Sequence, residues 1–155
     1  VVRVSGLFGP GRENFVRGTM NRFRAREPVS VVAEQINSPS YTVDLARGFE
    51  RLIRQFERNP DQAEPGGPLH GLLHMANAGG SSRLEVARRI LQRTGAPENL
   101  IKIRTWADLD RPAPRPPDSR LDCRRYNGLF GEPLRPWQEA LDAFLSAELD
   151  SNPPT

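Results

Sequence analysis

The chain opens on Val1-Val2-Arg3-Val4-Ser5, a β-branched run that reads as a buried-looking β-strand already under way. It passes directly into Gly6-Leu7-Phe8-Gly9-Pro10-Gly11, whose glycine and proline content dictates a loop. No methionine precedes the strand, so the expectation is a fragment, an excised domain or a processed product. A chain that starts inside a strand also offers an open edge for another strand to pair with.

Beyond that loop the pattern alternates helical and extended stretches. A helix is expected from about Asn14 to Arg26, with Phe15, Met20 and Phe23 inward and Pro28 ending it. Val29 to Ala33 reads as a strand, and residues 35–40 as a turn-rich loop. Thr42 or Ser40 is expected to cap a helix over Val43 to Glu57, with Leu45, Phe49, Leu52, Ile53 and Phe56 at helical spacing. Asn59 to Pro68 is expected to be a flexible connector and Leu72 to Met75 a strand. Ser82-Arg83-Leu84-Glu85 is a capping box, and the helix it opens should close at Gly95. Ile101 to Ile103 suggests a further strand, and Asp110 to Asp118 is too proline-rich for a helix or central strand. A short helix is expected over Asp122 to Tyr126 and a last one from Pro136 to about Leu149. Residues 150–155 are expected to form a disordered tail.

Charge and cysteine usage narrow the function classes. The net charge is +3, yet the basic residues are spread along the chain and all but Lys102 are arginine. Duplex recognition needs a basic stripe with a reading element, and none is apparent, so nucleic acid is not an expected partner. Arg22, Arg24 and Arg26 form the densest cluster, readable as a solvated helix face or as a nucleotide-phosphate contact. No apolar run reaches the roughly 18 residues of a membrane span, and no secretion leader is evident. Cys123 is the single cysteine, which excludes an internal disulfide; with no obvious base beside it, it reads as incidental. These features favour a cytoplasmic setting. His70 and His74 are four apart, but on a strand that spacing is about 13 Å, too far to share one ion, so no metal site is expected.

Four blocks, in order, carry a family resemblance. Arg3-Val4-Ser5-Gly6-Leu7-Phe8-Gly9, then Asn14-Phe15-Val16, is similar to R-T-S-W-[LV]-Y-G then N-N-F. Glu34 to Tyr41 with Asp44-Leu45-Ala46 resembles D-Q-x-G-x-P-T-x-x-x-D-L-A. Leu73-His74 with Gly79 to Ala87 resembles Y-H then G-x-x-S-W-x-E-x-A. Pro112 to Asp122, then Leu134-Arg135-Pro136-Trp137, is similar to P-A-R-R-P-x-x-S-x-L-D and L-P-x-W. The chain resembles the dTDP-4-dehydrorhamnose reductase branch of the extended short-chain dehydrogenases, from Val2 to about Leu145.

The resemblance implies an α/β fold: the carboxy-terminal substrate-binding part of such an enzyme, lacking most of the Rossmann sheet. Residues 1–155 would then be one substrate-binding domain, with 1–9 a residual strand and loop of that sheet. The family passes a hydride from NADPH or NADH to the C4 ketone of a dTDP-keto sugar. A Tyr donates the proton, and a Lys four residues later holds the ribose and lowers the Tyr pKa. This chain has no Tyr-x-x-x-Lys: Tyr41 is followed by Leu45 and Tyr126 by Phe130. The Gly9-Pro10-Gly11 run has Asn14 where the third glycine of a dinucleotide fingerprint should stand. No catalytic residue is therefore expected here, and no nicotinamide binding by this chain alone.

The resemblance assigns Ser5 and Leu7 to the loop passing nicotinamide and sugar. Gly6 replaces a substrate-contacting Trp, removing a stacking surface and leaving room for a bulkier group. Asn14 reads equally as helix cap or ligand group, and Phe15 as core or sugar contact. Gln35 offers a carboxamide to a sugar or base edge. Asn37 stands in place of a glycine and is expected to be structural, since Asn tolerates left-handed geometry. Arg115 offers a planar fork to a diphosphate, and Arg120 is a weaker candidate. Trp106 and Trp137 are expected to pack. The partners implied are a nucleotide sugar and either a separate Rossmann half or a second copy at the open edge. The alternative function is a non-catalytic interaction subunit like the methionine adenosyltransferase regulatory subunit of the same branch.

Overall fold

The structure, a computed structural model, describes residues 1–108 and 116–151. Its elements run β1 (Val2–Arg3), β2 (Leu7–Phe8), α1 (Phe15–Arg24), β3 (Val29–Val32), β4 (Ile36–Asn37), β5 (Ser40–Tyr41) and α2 (Thr42–Arg58). They continue as β6 (Leu73–His74), β7 (Asn77–Ala78), β8 (Ser81–Ser82), α3 (Arg83–Thr94), β9 (Ile101–Arg104), α4 (Arg124–Phe130), β10 (Leu134–Pro136) and α5 (Trp137–Ser151). The pairings β1–β6, β2–β5, β3–β9 and β7–β10 are parallel, and β4–β8 is antiparallel. Parallel pairs need crossovers through helices, which is the α/β alternation legible in the sequence.

Local chemistry fixes most helix ends. Asn14 caps α1 by accepting from the amides of Val16 and Arg17 at 3.1 Å each. The capping box on α3 is complete: Glu85 N donates to Ser82 Oγ and Ser82 N donates to Glu85. That helix closes at Gly95 in the left-handed conformation. By contrast α2 starts after Tyr41 with no side-chain cap, so neither Thr42 nor Ser40 has the expected role. Helix α1 stops at Arg24, well before Pro28, in a turn that puts Arg26 at φ 58°.

Two apolar clusters hold these elements. The larger joins α1, α3 and α5 to β3 through Met20, Phe23, Val31, Ile90, Leu141 and Phe144. The smaller packs α2 and α4 on β6 through Leu45, Leu52, Leu73, Met75 and Tyr126. Gly48 permits that packing, because a Cβ there would sit 2.5 Å from Met75 Sδ. Of the apolar residues at helical spacing on α2, Leu45 and Leu52 are buried, whereas Phe49, Ile53 and Phe56 are exposed. These three lie four and three residues apart, so they form one stripe that no described element of this chain covers.

A buried polar network ties the two clusters together. Arg135 reaches Asp44 with both Nε (2.8 Å) and a terminal nitrogen (2.9 Å). Asn77 donates to Asp44 at 2.8 Å and to the Arg135 carbonyl at 3.0 Å, and accepts from Tyr41 N at 2.8 Å. Burial of such groups is tolerable only when each is satisfied this way.

Other expectations are displaced. Residues 59–68 are not an unstructured connector: Pro60–Ala63 is a 3-10 turn, and Leu69 N donates to the Gln62 carbonyl. Asn37 adopts no left-handed conformation; it is extended in β4. The short helix starts at Arg124, and Pro136 belongs to β10 rather than opening α5. Asp150 and Ser151, expected in a disordered tail, are helical, because α5 continues past Leu149. Residues 152–155 of that tail lie outside the described residues. No helix among those described is long and apolar enough to cross a membrane.

Candidate nucleotide-sugar site

The site is built where β2 and β5 run side by side, Leu7 opposite Ser40 and Phe8 opposite Tyr41. Phe8 stacks on Tyr41 with ring centroids 5.5 Å apart, and Phe144 closes edge-on against Phe8. This aromatic anchor fixes the strand, and the residues before it turn outward. Gly6 has φ 56°, its carbonyl accepts from Ser40 N at 3.0 Å, and a Cβ would meet the Ser38 carbonyl at 2.6 Å. Gly6 is thus required by its backbone as well as by the space a side chain would fill.

The resulting cleft, about 300 Å³, is lined by Gly6, Leu7, Asn14, Phe15, Asn37 and Pro39, with Arg83 across it. The Arg83 guanidinium lies 4.8 Å from the Phe15 ring centroid, a cation–π contact. Its position matches the Trp of the S-W-x-E pattern, so a cation stands where the pattern has an aromatic ring. Nothing in the sequence singled Arg83 out; only its departure from that pattern could have done so.

Four of the expected residues therefore meet in one cleft: Gly6, Leu7, Asn14 and Phe15. Asn14 contributes shape rather than a free hydrogen-bonding group. Besides its two accepted amides, it donates to the Gly9 and Arg12 carbonyls. Ser5 is half-buried one residue before the lining. Gln35 lines a smaller neighbouring cleft with Ser30, Val32, Arg83, Arg104 and Trp106, so Arg83 is a shared wall. Trp106 is accordingly a wall residue, whereas Trp137 is buried in the core. Arg115 lies outside the described residues. Arg120 is chelated by its own neighbour, Asp118, through two guanidinium nitrogens, as Arg124 is by Asp122.

Tyr41 and Tyr126 are buried, and burial pushes both phenols above their ordinary value. Burial likewise raises the Cys123 thiol, which suits an inert residue. His70 is in an exposed turn against the Ala63 carbonyl and His74 is in β6, so the two do not share the expected strand. No group of three His, Cys, Asp or Glu side chains that could hold a metal occurs among the described residues.

Comparison with known proteins defines the class. Residues 1–149 match the model of the RmlD substrate binding domain, and the chain belongs to that family. It is 34% identical over its whole length to a probable dTDP-4,6-dihydroxy-2-methyloxan-3-one 4-ketoreductase of Streptomyces antibioticus, covering 49% of that protein. It is 33% identical over 95% of its length to a dTDP-4-dehydrorhamnose reductase of Mycolicibacterium smegmatis, covering 42% of it. The crystal structure of a Bacillus anthracis dTDP-4-dehydrorhamnose reductase in complex with NADP superimposes with a TM-score of 0.77 at 30% identity. That match covers 94% of this chain and 47% of the reductase. The chain has the α/β fold of these reductases and spans about half the length of the curated relatives it matches.

Proposed function

We propose that this chain is the nucleotide-sugar-binding half of an NAD(P)H-dependent dTDP-4-dehydrorhamnose reductase-like protein, its substrate a dTDP-4-keto-6-deoxy sugar. The observation that carries this reading is the cleft of about 300 Å³ where Gly6, Leu7, Asn14, Phe15 and Arg83 meet. These residues come from three separate segments of the family match. The domain is residues 1–155, with the first nine a remnant of the Rossmann sheet and Arg115 and Gln35 as further substrate contacts. Ser5 and Leu7 face the nicotinamide of the complete enzyme. The setting is cytoplasmic.

Hydride transfer needs a second half carrying the cofactor site and the proton-donating Tyr. Two surfaces suit it. Strand β1 pairs only with β6 among the described strands, leaving its other edge open, and Val1 is almost fully exposed. The Phe49–Ile53–Phe56 stripe on α2 is apolar and exposed. A reductase assay tests the reading: the chain alone oxidises no NADPH with a dTDP-keto sugar, and adding a Rossmann half restores turnover. Turnover by the chain alone overturns it. A stoichiometric protein partner without sugar-nucleotide binding moves the assignment to the interaction-subunit reading.

A further inference from the structure

Asn37 stands where the pattern D-Q-x-G-x-P has a glycine, and Gly6 stands where R-T-S-W has a tryptophan. Both residues line the cleft of about 300 Å³. The two exchanges run in opposite directions: one part of the wall loses a side chain and another gains one. A side chain cannot return to position 6, because Gly6 has φ 56° and a Cβ there would lie 2.6 Å from the Ser38 carbonyl. Backbone conformation does not account for Asn37 either. It is extended in β4, a conformation open to any residue.

Strand β4 is held by its antiparallel pairing with β8, Asn37 opposite Ser81. Successive residues of a strand point to opposite faces. The Ile36 side chain lies against Gly80, where a Cβ would meet Ile36 Cγ2 at 3.2 Å, so Asn37 takes the face that lines the cleft. The polar side chains that follow are buried and used internally. Ser38 Oγ accepts from Leu121 N, and Ser40 Oγ donates to the Ser38 carbonyl. Asn14, the other carboxamide in the wall, spends its oxygen on two amides and its nitrogen on two carbonyls. The Asn37 side chain is half-buried and makes no hydrogen bond among the described residues. One carboxamide of the wall thus serves the fold, and the other is open to a ligand.

We propose that Asn37 is a specificity-determining residue of this cleft, donating to and accepting from hydroxyls of the bound pyranose. The assignment rests on the nucleotide-sugar reading of the cleft. A carboxamide donates and accepts at once, and a sugar hydroxyl that leaves water for a partly buried wall needs such a partner. Recognition by a flat ring at position 6 is exchanged for recognition by hydrogen bonds from β4. A wall of this kind discriminates against a sugar lacking the hydroxyl more sharply than an apolar wall discriminates by size.

Calorimetric titration of the full chain with dTDP-rhamnose and, separately, with dTDP, which carries no sugar, tests the assignment. Wild type is expected to bind dTDP-rhamnose more tightly than dTDP. Asn37→Leu, close to asparagine in size, should weaken dTDP-rhamnose about tenfold and leave dTDP unchanged. Its melting temperature without ligand should stay within about 2 °C of wild type, since the side chain it replaces holds no described residue by a hydrogen bond. Asn37→Ala, which empties the space instead of filling it, should show the same sugar-selective loss. Unchanged dTDP-rhamnose affinity in both variants, equal losses for the two ligands, or a wild type that binds both ligands equally overturns the role of Asn37 and leaves nucleotide binding standing. A folded wild type that binds neither ligand overturns the nucleotide-sugar reading, and the role of Asn37 with it.

Discussion

Asp44→Ala should unsettle the fold and the cleft at β2 together. The carboxylate is 6% exposed and accepts three bonds of 2.8–2.9 Å, two from Arg135 and one from Asn77. Removing one partner of a buried pair costs about 3–5 kcal/mol, because the other charge is left without compensation. Arg135 is 33% exposed and can turn partly toward water, so the low end, about 3 kcal/mol, applies. For a chain of this size that is a fall of roughly 6–12 °C in melting temperature. The damage reaches the site because Asn77 also holds Tyr41 N, and Tyr41 belongs to β5, which pairs with Leu7–Phe8 at the cleft wall. Thermal and urea denaturation of Asp44→Ala, Arg135→Met and the double variant measure this directly. The double variant should be less destabilised than the sum, with a coupling of about 1–3 kcal/mol. A loss below about 1 kcal/mol in Asp44→Ala, or strict additivity, would refute the reasoning.

Gly6→Ala places a Cβ at 2.6 Å from the Ser38 carbonyl in a left-handed residue, so it should cost about 1–3 kcal/mol by urea denaturation. A neutral substitution would show that the loop has another conformation available. Arg26→Gly relieves a left-handed non-glycine residue at the end of α1 and should be neutral to stabilising by up to about 1 kcal/mol, against the lost contact to the Gly95 carbonyl. A clear loss would mean that the contact dominates. Ser82→Ala should cost about 1 kcal/mol through loss of the α3 cap. The Ser82 amide, with the hydroxyls of Ser82 and Ser81, holds the Glu85 carboxyl below its ordinary value. Because the folded value is the lower one, its stabilising share is full above the unfolded pKa of about 4.3 and is lost as pH falls through the folded value. Melting curves of wild type and Glu85→Gln should therefore converge on acidification below that point; a constant separation would exclude the linkage.

The readable parts of the fold were those set by local chemistry. The capping box at Ser82–Glu85 and the left-handed Gly95 depend on neighbours within one turn, and both stand as read. Asn14 showed its cap because the residue type and the following apolar period coincide. The helical spacing of Phe49, Ile53 and Phe56 does not disclose their exposure, because periodicity reports an apolar face and not what covers it. The 3-10 turn at Pro60–Ala63 was hidden because proline and polar residues suit a loop and a tight turn alike. At the site, Gly6, Leu7, Asn14 and Phe15 were legible from motif order. Arg83 was not, because it meets Phe15 only through the packing of α3 against α1.

On the proposed function, this chain recognises a sugar nucleotide without the half that carries the cofactor. Calorimetric titration of the purified chain with a dTDP-sugar and, separately, with NADPH tests it most directly. Saturable binding of the dTDP-sugar and none of NADPH is expected. A folded chain that binds NADPH, or that gives no heat with the dTDP-sugar, contradicts it.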